Sequence, residues 1–130
     1  MNSDEVGLLL GLMALADNRK PPEDDEGREA MIGFWLSMVG DLRYIDAAEA
    51  VQQHYRESRN WIMPSDIRER VRAVRQGRLN ITPVPPAPPD VADDPDAYRE
   101  WRGTWRKRIA DGDHVRPAIG GVAALEGDSQ

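Results

Sequence analysis

The sequence predicts an all-α protein: a small four-helix bundle followed by a Pro-rich linker and a short C-terminal helix in a flexible tail. Four successive segments between residues 3 and 79 have apolar residues at helical spacing, short polar breaks separate them, and no strand-like alternation occurs. A chain of 130 residues with 40% hydrophobic residues has room for one domain and some tail. We expect a bundle in residues 1–80, a linker in 81–95, an amphipathic Trp/Arg segment in 96–110 and a disordered tail in 111–130.

Composition excludes several classes of protein. Without cysteine, the chain has no disulfide, thiolate metal site or cysteine nucleophile. No apolar run approaches the roughly 20 residues that a membrane span needs. Acidic residues precede the first apolar run, which is the wrong order for a signal peptide. We therefore expect a cytoplasmic protein with no membrane partner.

The first helix is predicted to run to about Ala16, and Asn2 with Glu5 three residues later suits a capping box at its start. Its apolar residues make two stripes. Val6, Leu9, Leu10 and Met13 form one, and Leu8, Leu12 and Leu15 form the other. Either this helix lies at the centre of the bundle, the interpretation we favour, or one of the two stripes contacts a partner.

The second helix is predicted over residues 27–39, with a stop at Gly40. Four acids, residues 23–26, precede it. They suit the positive end of a helix dipole better than a metal site, because adjacent side chains of a helix point in different directions. Its spacing predicts that Met31, Phe34, Trp35 and Met38 are core residues, with Trp35 central.

The third helix is predicted to begin at Asp46, with Glu49 completing a capping box. Ala47, Ala50, Val51, His54 and Tyr55 line one side of it. Since the sequence offers His54 neither a second nearby histidine nor a cysteine, we expect its ring to bond a backbone carbonyl rather than a metal. Trp61 and Ile62 should fill the corner before the next helix.

The fourth helix begins at Pro64, where a missing N–H costs no hydrogen bond, and Asp66 falls in its first turn. Ile67, Val71 and Val74 make its apolar stripe. Residues 60–79 carry five basic and two acidic groups in a chain of net charge −6. This local basic surface predicts weak phosphate binding. The residues that would carry it are Arg68, Arg72, Arg75 and Arg78.

A family resemblance rests on residues 4–79. The segment begins with an amphipathic N-terminal helix and continues with an Ala-rich helix that ends in His54-Tyr55. These are followed by the sequence Trp-Ile-Met-Pro-Ser-Asp-Ile-Arg. This order resembles the phage helicase loader and inhibitor family and the similar short replication proteins of actinobacteria and their phages. Met63 stands where that family often has threonine. The resemblance implies a DNA-replication accessory protein whose partner is the replicative DNA helicase, and an initiator protein or DNA would be a further, weaker partner.

The C-terminal part changes in character. Residues 82–95 hold six prolines, which predicts a stiff, extended linker. Beyond it, Tyr98, Trp101 and Trp105 share one face of a short helix. Either these rings fold back onto the bundle, or the segment is mobile until it orders on a partner, which is the interpretation we favour. The expected partner-binding residues are Trp101, Arg102, Trp105 and Arg106.

No catalytic triad, phosphate-binding loop or zinc spacing is present in the sequence, so we expect a non-enzyme without cofactor, metal or small-molecule substrate. Two hypotheses remain. The first is a helicase loader/inhibitor-like adaptor. The alternative is a small helical DNA-binding regulator that uses the basic helix 64–79. Net negative charge and the scarcity of base-reading side chains on that helix favour the adaptor.

Overall fold

The computed structural model describes residues 1–113, and within them the chain is all-α. Its helices are α1 (Ser3–Asp17), α2 (Asp25–Val39), α3 (Tyr44–Glu57), α4 (Pro64–Ile81), α5 (Pro89–Ala92) and α6 (Pro95–Asp111). The expected tail is described only as far as residue 113. In the described part, no helix combines the length and the apolar character needed to cross a bilayer.

The chain divides into two compact units, Met1–Arg72 and the residues from Ala73 onward. The division falls inside α4, earlier than the expected bundle boundary at residue 80. In the first unit, α1 packs against both α2 and α3. The core of this unit consists of apolar side chains from all four helices and from the α3–α4 connection. Its largest members are Leu9, Met13, Trp35, Ile62 and Ile67.

Helix α1 begins as predicted. The Asn2 side chain accepts a hydrogen bond from the Glu5 N–H at 2.9 Å, and the Glu5 carboxylate accepts from the Asn2 N–H at 3.0 Å. The prediction of a central position holds only in part, because α1 packs against both α2 and α3 but is not enclosed by them. Val6, Leu9 and Met13 of the first stripe are buried, whereas Leu8 is 62% exposed and Leu15 is 86% exposed. Leu10 and Leu12 are half-buried. In the outer stripe of α1, only Leu12 packs against the core, and Leu8 and Leu15 stay exposed.

Helix α2 begins two residues before the predicted start. Asp24 caps it by accepting from the Gly27 N–H at 3.1 Å, and Asp25 and Glu26 lie in its first turn, so the acids serve the helix start as expected. Trp35 is buried as predicted. Phe34 and Met38 are exposed, which corrects their assignment to the core. Val39 takes the second buried position, because the core contacts a narrower face of α2 than the apolar spacing suggested.

Helix α3 begins at Tyr44, so Asp46 lies inside its first turn rather than at the cap. The predicted capping box is absent, and the buried Asp46 carboxylate instead lies 3.7 Å from Arg43 Nε. The prediction for His54 is confirmed: its Nε2 lies 2.7 Å from the Asn60 carbonyl oxygen. Ile62 fills the corner before α4 as expected, but Trp61 is exposed.

In α4, Asp66 accepts a hydrogen bond from the Met63 N–H at 2.9 Å and so fixes the first turn. Ile67 and Val71 are buried as predicted. Val74 is exposed, which corrects its place in the stripe.

The second unit contains the last turns of α4, an extended stretch, and the packed pair α5 and α6. The linker prediction holds only in part, because residues 89–92 are helical. Asp94 caps α6 by accepting from the Asp96 N–H at 3.0 Å, and Gly112 ends the helix with φ 81°. Glycine suits that left-handed position because it has no Cβ. Buried Ile109 and Ala110 fix the C-terminal end of α6.

Candidate interaction surfaces

The first predicted phosphate-binding arginine, Arg68, is engaged within the first unit. Its guanidinium donates to both carboxylate oxygens of Asp41, at 2.6 and 3.1 Å, and to the Met38 carbonyl at 3.2 Å. This bidentate pair holds the pKa of the Asp41 carboxyl below its ordinary value. Arg68 therefore ties α4 to the end of α2, and phosphate would have to displace Asp41.

Arg75 and Arg78 are engaged within the second unit. Arg75 Nη1 lies 2.5 Å from the Asp111 carboxylate, and Arg78 Nη1 donates to the Ala110 carbonyl at 2.6 Å. Lys107 Nζ reaches the other Asp111 oxygen at 2.7 Å. Positive side chains at a helix C-terminus interact favourably with the helix dipole. Both arginines thus hold the end of α6 rather than extend into solvent.

Arg72 differs from the other three. It is exposed, and no hydrogen bond or ion pair of its side chain occurs among the described residues. Three of the four arginines predicted to bind phosphate therefore make intramolecular contacts, and within the described residues only Arg72 does not. A duplex approaching α4 would find little uncommitted positive charge.

The predicted partner-binding residues lie on α6. Tyr98 and Trp101 stack with ring centroids 6.3 Å apart, and Trp105 follows Trp101 at 6.2 Å. The Arg108 guanidinium covers the far end of this series, 4.5 Å from the Trp105 ring. We call these three aromatic residues the ring ladder. Tyr98 is exposed, and both tryptophans are half-buried.

Two predicted cations accompany the ring ladder. Arg102 is exposed and Arg106 is half-buried, and neither makes an ion pair within the described residues. The other basic residues of α6 are engaged: Arg99 pairs with Asp96 at 3.1 Å, and Lys107 pairs with Asp111. The structure thus places Trp101, Arg102, Trp105 and Arg106 on one helix, with two uncommitted guanidinium groups beside two tryptophans.

The structure describes this segment as a helix, and its mobility in the free protein stays a prediction. α6 has both caps and a buried C-terminal end, and the half-buried tryptophans already have neighbours. The proline-rich residues 82–95 were expected to form a linker that keeps the rings of Tyr98, Trp101 and Trp105 away from any core. The contacts of Arg75 and Arg78 could not be deduced from spacing, because they join residues more than thirty positions apart.

A buried charged network in the first unit was not predicted. Arg19 Nε donates to both Asp17 oxygens at 2.9 Å, and Arg19 Nη2 donates to the Ile62 carbonyl at 3.1 Å. Tyr55 donates its hydroxyl proton to Asp17 and accepts from the Ile62 N–H at 3.0 Å. The Arg19 guanidinium also lies 5.8 Å from the centre of the Trp35 ring and 5.0 Å from the centre of the Trp61 ring.

Burial alone would raise the pKa of Asp17, but the hydrogen bonds from Arg19 and Tyr55 outweigh it and leave that pKa below its ordinary value. Burial and the hydrogen bond donated to Asp17 raise the pKa of Tyr55. The buried polar atoms of the network all have hydrogen-bond partners. Arg19 and Tyr55 each also line one of the two grooves beside α1. The network joins the end of α1 to α3 and to the α3–α4 connection, so its role is structural.

Two grooves lie on either side of α1. One, of about 310 Å³, separates α1 from α2 and is lined mainly by Gly7, Leu10, Ala14, Met31 and Ile32. The other, of about 330 Å³, separates α1 from α3 and is lined by Leu12, Leu15, Ala16, Val51, Gln52, Tyr55 and Arg56. Both are largely apolar, and neither brings together an acid, a base and a nucleophile. Within residues 1–113, no cluster of three histidine or carboxylate side chains is placed to hold a metal ion.

Comparison with known proteins finds no match to this chain among family models, curated proteins or solved structures.

Proposed function

We propose that this protein is an adaptor of DNA replication that binds the replicative helicase, in the manner of phage helicase loaders and inhibitors. The observation that carries the proposal is the surface of α6 formed by Trp101, Arg102, Trp105 and Arg106. Tryptophan and arginine are the side chains that most often dominate protein interfaces. Here two of each occur on one capped helix, and neither guanidinium has an ion-pair partner in the described part of the chain.

Preorganisation adds to this support. The ring ladder fixes the tryptophan side chains against one another, and Arg108 covers one end of the series. A partner that binds α6 therefore orders fewer side chains than it would on a disordered segment, and the entropy cost of association falls. The surface suits a protein partner with an apolar recess and carboxylates around it.

The identity of the partner rests on the sequence resemblance of residues 4–79, which points to a replicative helicase. The DNA-binding regulator has weaker support. Three of the four arginines proposed to bind phosphate make intramolecular contacts, and Arg72 alone is free within residues 1–113. Each phosphate contact by one of the other three would first break a charge-assisted hydrogen bond.

The experiment is a titration of purified replicative helicase from the native host with the full chain, followed by isothermal calorimetry. We expect saturable binding that is lost when Trp101→Ala and Trp105→Ala are combined. Loss of hot-spot tryptophans typically costs about 2–4 kcal/mol each, which corresponds to roughly thirty-fold or more in affinity per residue.

Trp61→Ala is the matched control, because Trp61 is a solvent-accessible tryptophan that belongs to the first unit rather than to α6. It should leave helicase affinity unchanged. Equal loss in the control and in the α6 variant would contradict the assignment to α6. Absence of binding by the unaltered chain would overturn the proposed function.

A further inference from the structure

The outer face of α1 is apolar although it faces away from the core. Leu8, Gly11 and Leu15 follow one another at helical spacing, with Leu12 beside them at the edge of the groove to α3. All three residues of this stripe are exposed, and a Cβ added to Gly11 would meet nothing within 4 Å. We call Leu8, Gly11, Leu12 and Leu15 the leucine stripe. Leu12 also packs against the core of the first unit, whereas Leu8, Gly11 and Leu15 are exposed.

Opposite charges lie at the two ends of the leucine stripe. Asp4 is one helical turn before Leu8 and is exposed. At the other end, Arg56 of α3 lines the groove beside Leu15 and Ala16, and it too is exposed. Neither side chain makes a hydrogen bond or ion pair within residues 1–113. The stripe therefore begins with an uncommitted carboxylate and ends with an uncommitted guanidinium.

Such a surface is complementary to a reversed copy of itself. If two α1 helices cross antiparallel about a two-fold axis near Gly11, Leu8 of each copy meets Leu15 of the other. A two-fold interface repeats every contact, so Asp4 of each copy would also face Arg56 of the other. Asp4 is seven residues from Gly11, about 10 Å along the axis at 1.5 Å per residue, and Leu15 is four residues on the other side, about 6 Å. Arg56 lines the groove beside Leu15.

We propose that the protein forms a two-fold symmetric dimer through the leucine stripe, with α1 antiparallel to its copy and two Asp4–Arg56 ion pairs at the ends. Gly11 lets the two helices approach closely at the crossing point, because it presents no side chain there. The charges of the leucine stripe favour a second copy of this chain over an unrelated protein as the partner. Asp4 and Arg56, the acid and the base that the interface needs, already lie at opposite ends of the same surface. This inference concerns α1 and α3 and does not depend on the function proposed for α6.

The first test is sedimentation equilibrium of the full chain at micromolar to submillimolar concentrations. We expect a monomer–dimer equilibrium that Leu15→Glu abolishes, because each interface would then bury two unpaired carboxylates. Ile81→Glu is the matched control: Ile81 is also a highly exposed apolar residue, at the end of α4, and its substitution should leave the dimer intact. A chain that remains monomeric over the whole range would overturn the proposal, as would dimerisation that survives Leu15→Glu.

Charge reversal tests the antiparallel geometry. Asp4→Arg and Arg56→Asp should each weaken self-association by about tenfold, since every homodimer then holds two like-charge contacts. Mixing the two variants should restore association as a heterodimer, in which both contacts again join opposite charges. Local misfolding cannot produce that recovery, and circular dichroism of each variant checks the fold. Failure of the mixture to associate better than either variant alone would refute the pairing of Asp4 with Arg56.

Discussion

Removing the Asp17 carboxylate should strongly destabilise the first unit. The carboxylate accepts hydrogen bonds from the Arg19 guanidinium, the Arg19 backbone N–H and the Tyr55 hydroxyl. In Asp17→Asn the side chain keeps its size but loses its charge, so the buried Arg19 keeps its positive charge without a counter-ion. Breaking one side of a buried ion pair typically costs about 3–5 kcal/mol. We expect a loss of that size in the free energy of unfolding.

The measurement is urea denaturation of the full chain, followed by far-ultraviolet circular dichroism. Adding Arg19→Met to Asp17→Asn should recover part of the loss, because the uncompensated cation is then gone, and the double-mutant cycle isolates the coupling between the two residues. Asp25→Asn is the control, since Asp25 makes an exposed ion pair with Arg28 and should cost less than about 1 kcal/mol. A loss below about 1 kcal/mol for Asp17→Asn itself would refute the network as a source of stability.

The same network sets a pH dependence. The pKa of Asp17 is lowered in the folded chain from an ordinary value of 3.8, so the unfolded chain binds a proton at this site more readily than the folded chain does. The stabilisation is therefore complete above about pH 4 and is lost as pH falls through the folded pKa. Unfolding free energy should decline more steeply below pH 4 in the unaltered protein than in Asp17→Asn. Parallel pH profiles would contradict the lowered pKa.

Three further predictions concern the core, the basic helix and the end of α6. Trp35→Ala should cost about 3–5 kcal/mol in urea denaturation, whereas exposed Phe34→Ala should cost less than about 1 kcal/mol; similar losses would mean that Trp35 is not a core residue. Duplex DNA should bind weakly and without sequence preference, and a plot of the logarithm of the binding constant against the logarithm of salt concentration should have a slope of about −0.9. The reason is that, of the four predicted arginines, only Arg72 lacks an intramolecular partner within the described residues. A slope of about −3.6 would show that all four contact phosphate. Asp111→Asn should lower the stability of the second unit, measured by hydrogen exchange of the α6 amides, by about 1–3 kcal/mol. Asp96→Asn, which removes an exposed carboxylate, should change that stability little. Equal losses in the two variants would refute the buried contact of Asp111 with Arg75.

Local sequence patterns predicted the helices well, because their causes are local. The all-α class is confirmed, as are the capping box at Asn2 and the burial of Trp35. Errors arose where a pattern was compatible with two environments. Phe34 and Met38 have the spacing of core residues, yet they are exposed, since periodicity defines a face but not how much of that face is covered.

The candidate surfaces were less predictable, because long-range contacts decide which side chains stay free. Nothing in the basic spacing of α4 indicates that Arg68 pairs with Asp41 or that Arg75 pairs with Asp111. Sequence did locate the two tryptophans and two arginines of α6 on one helix. It did not reveal that the C-terminal end of that helix is buried.

Hydrogen exchange of the full chain with and without the replicative helicase tests the central claim most directly, because it reports where the helicase binds. We predict that helicase addition slows amide exchange across α6, centred on Trp101 and Trp105, and leaves exchange in α1 unchanged. Exchange in α6 that is unaffected at saturating helicase, or protection confined to the α4 segment around Arg72, would contradict the assignment of α6 as the helicase-binding element.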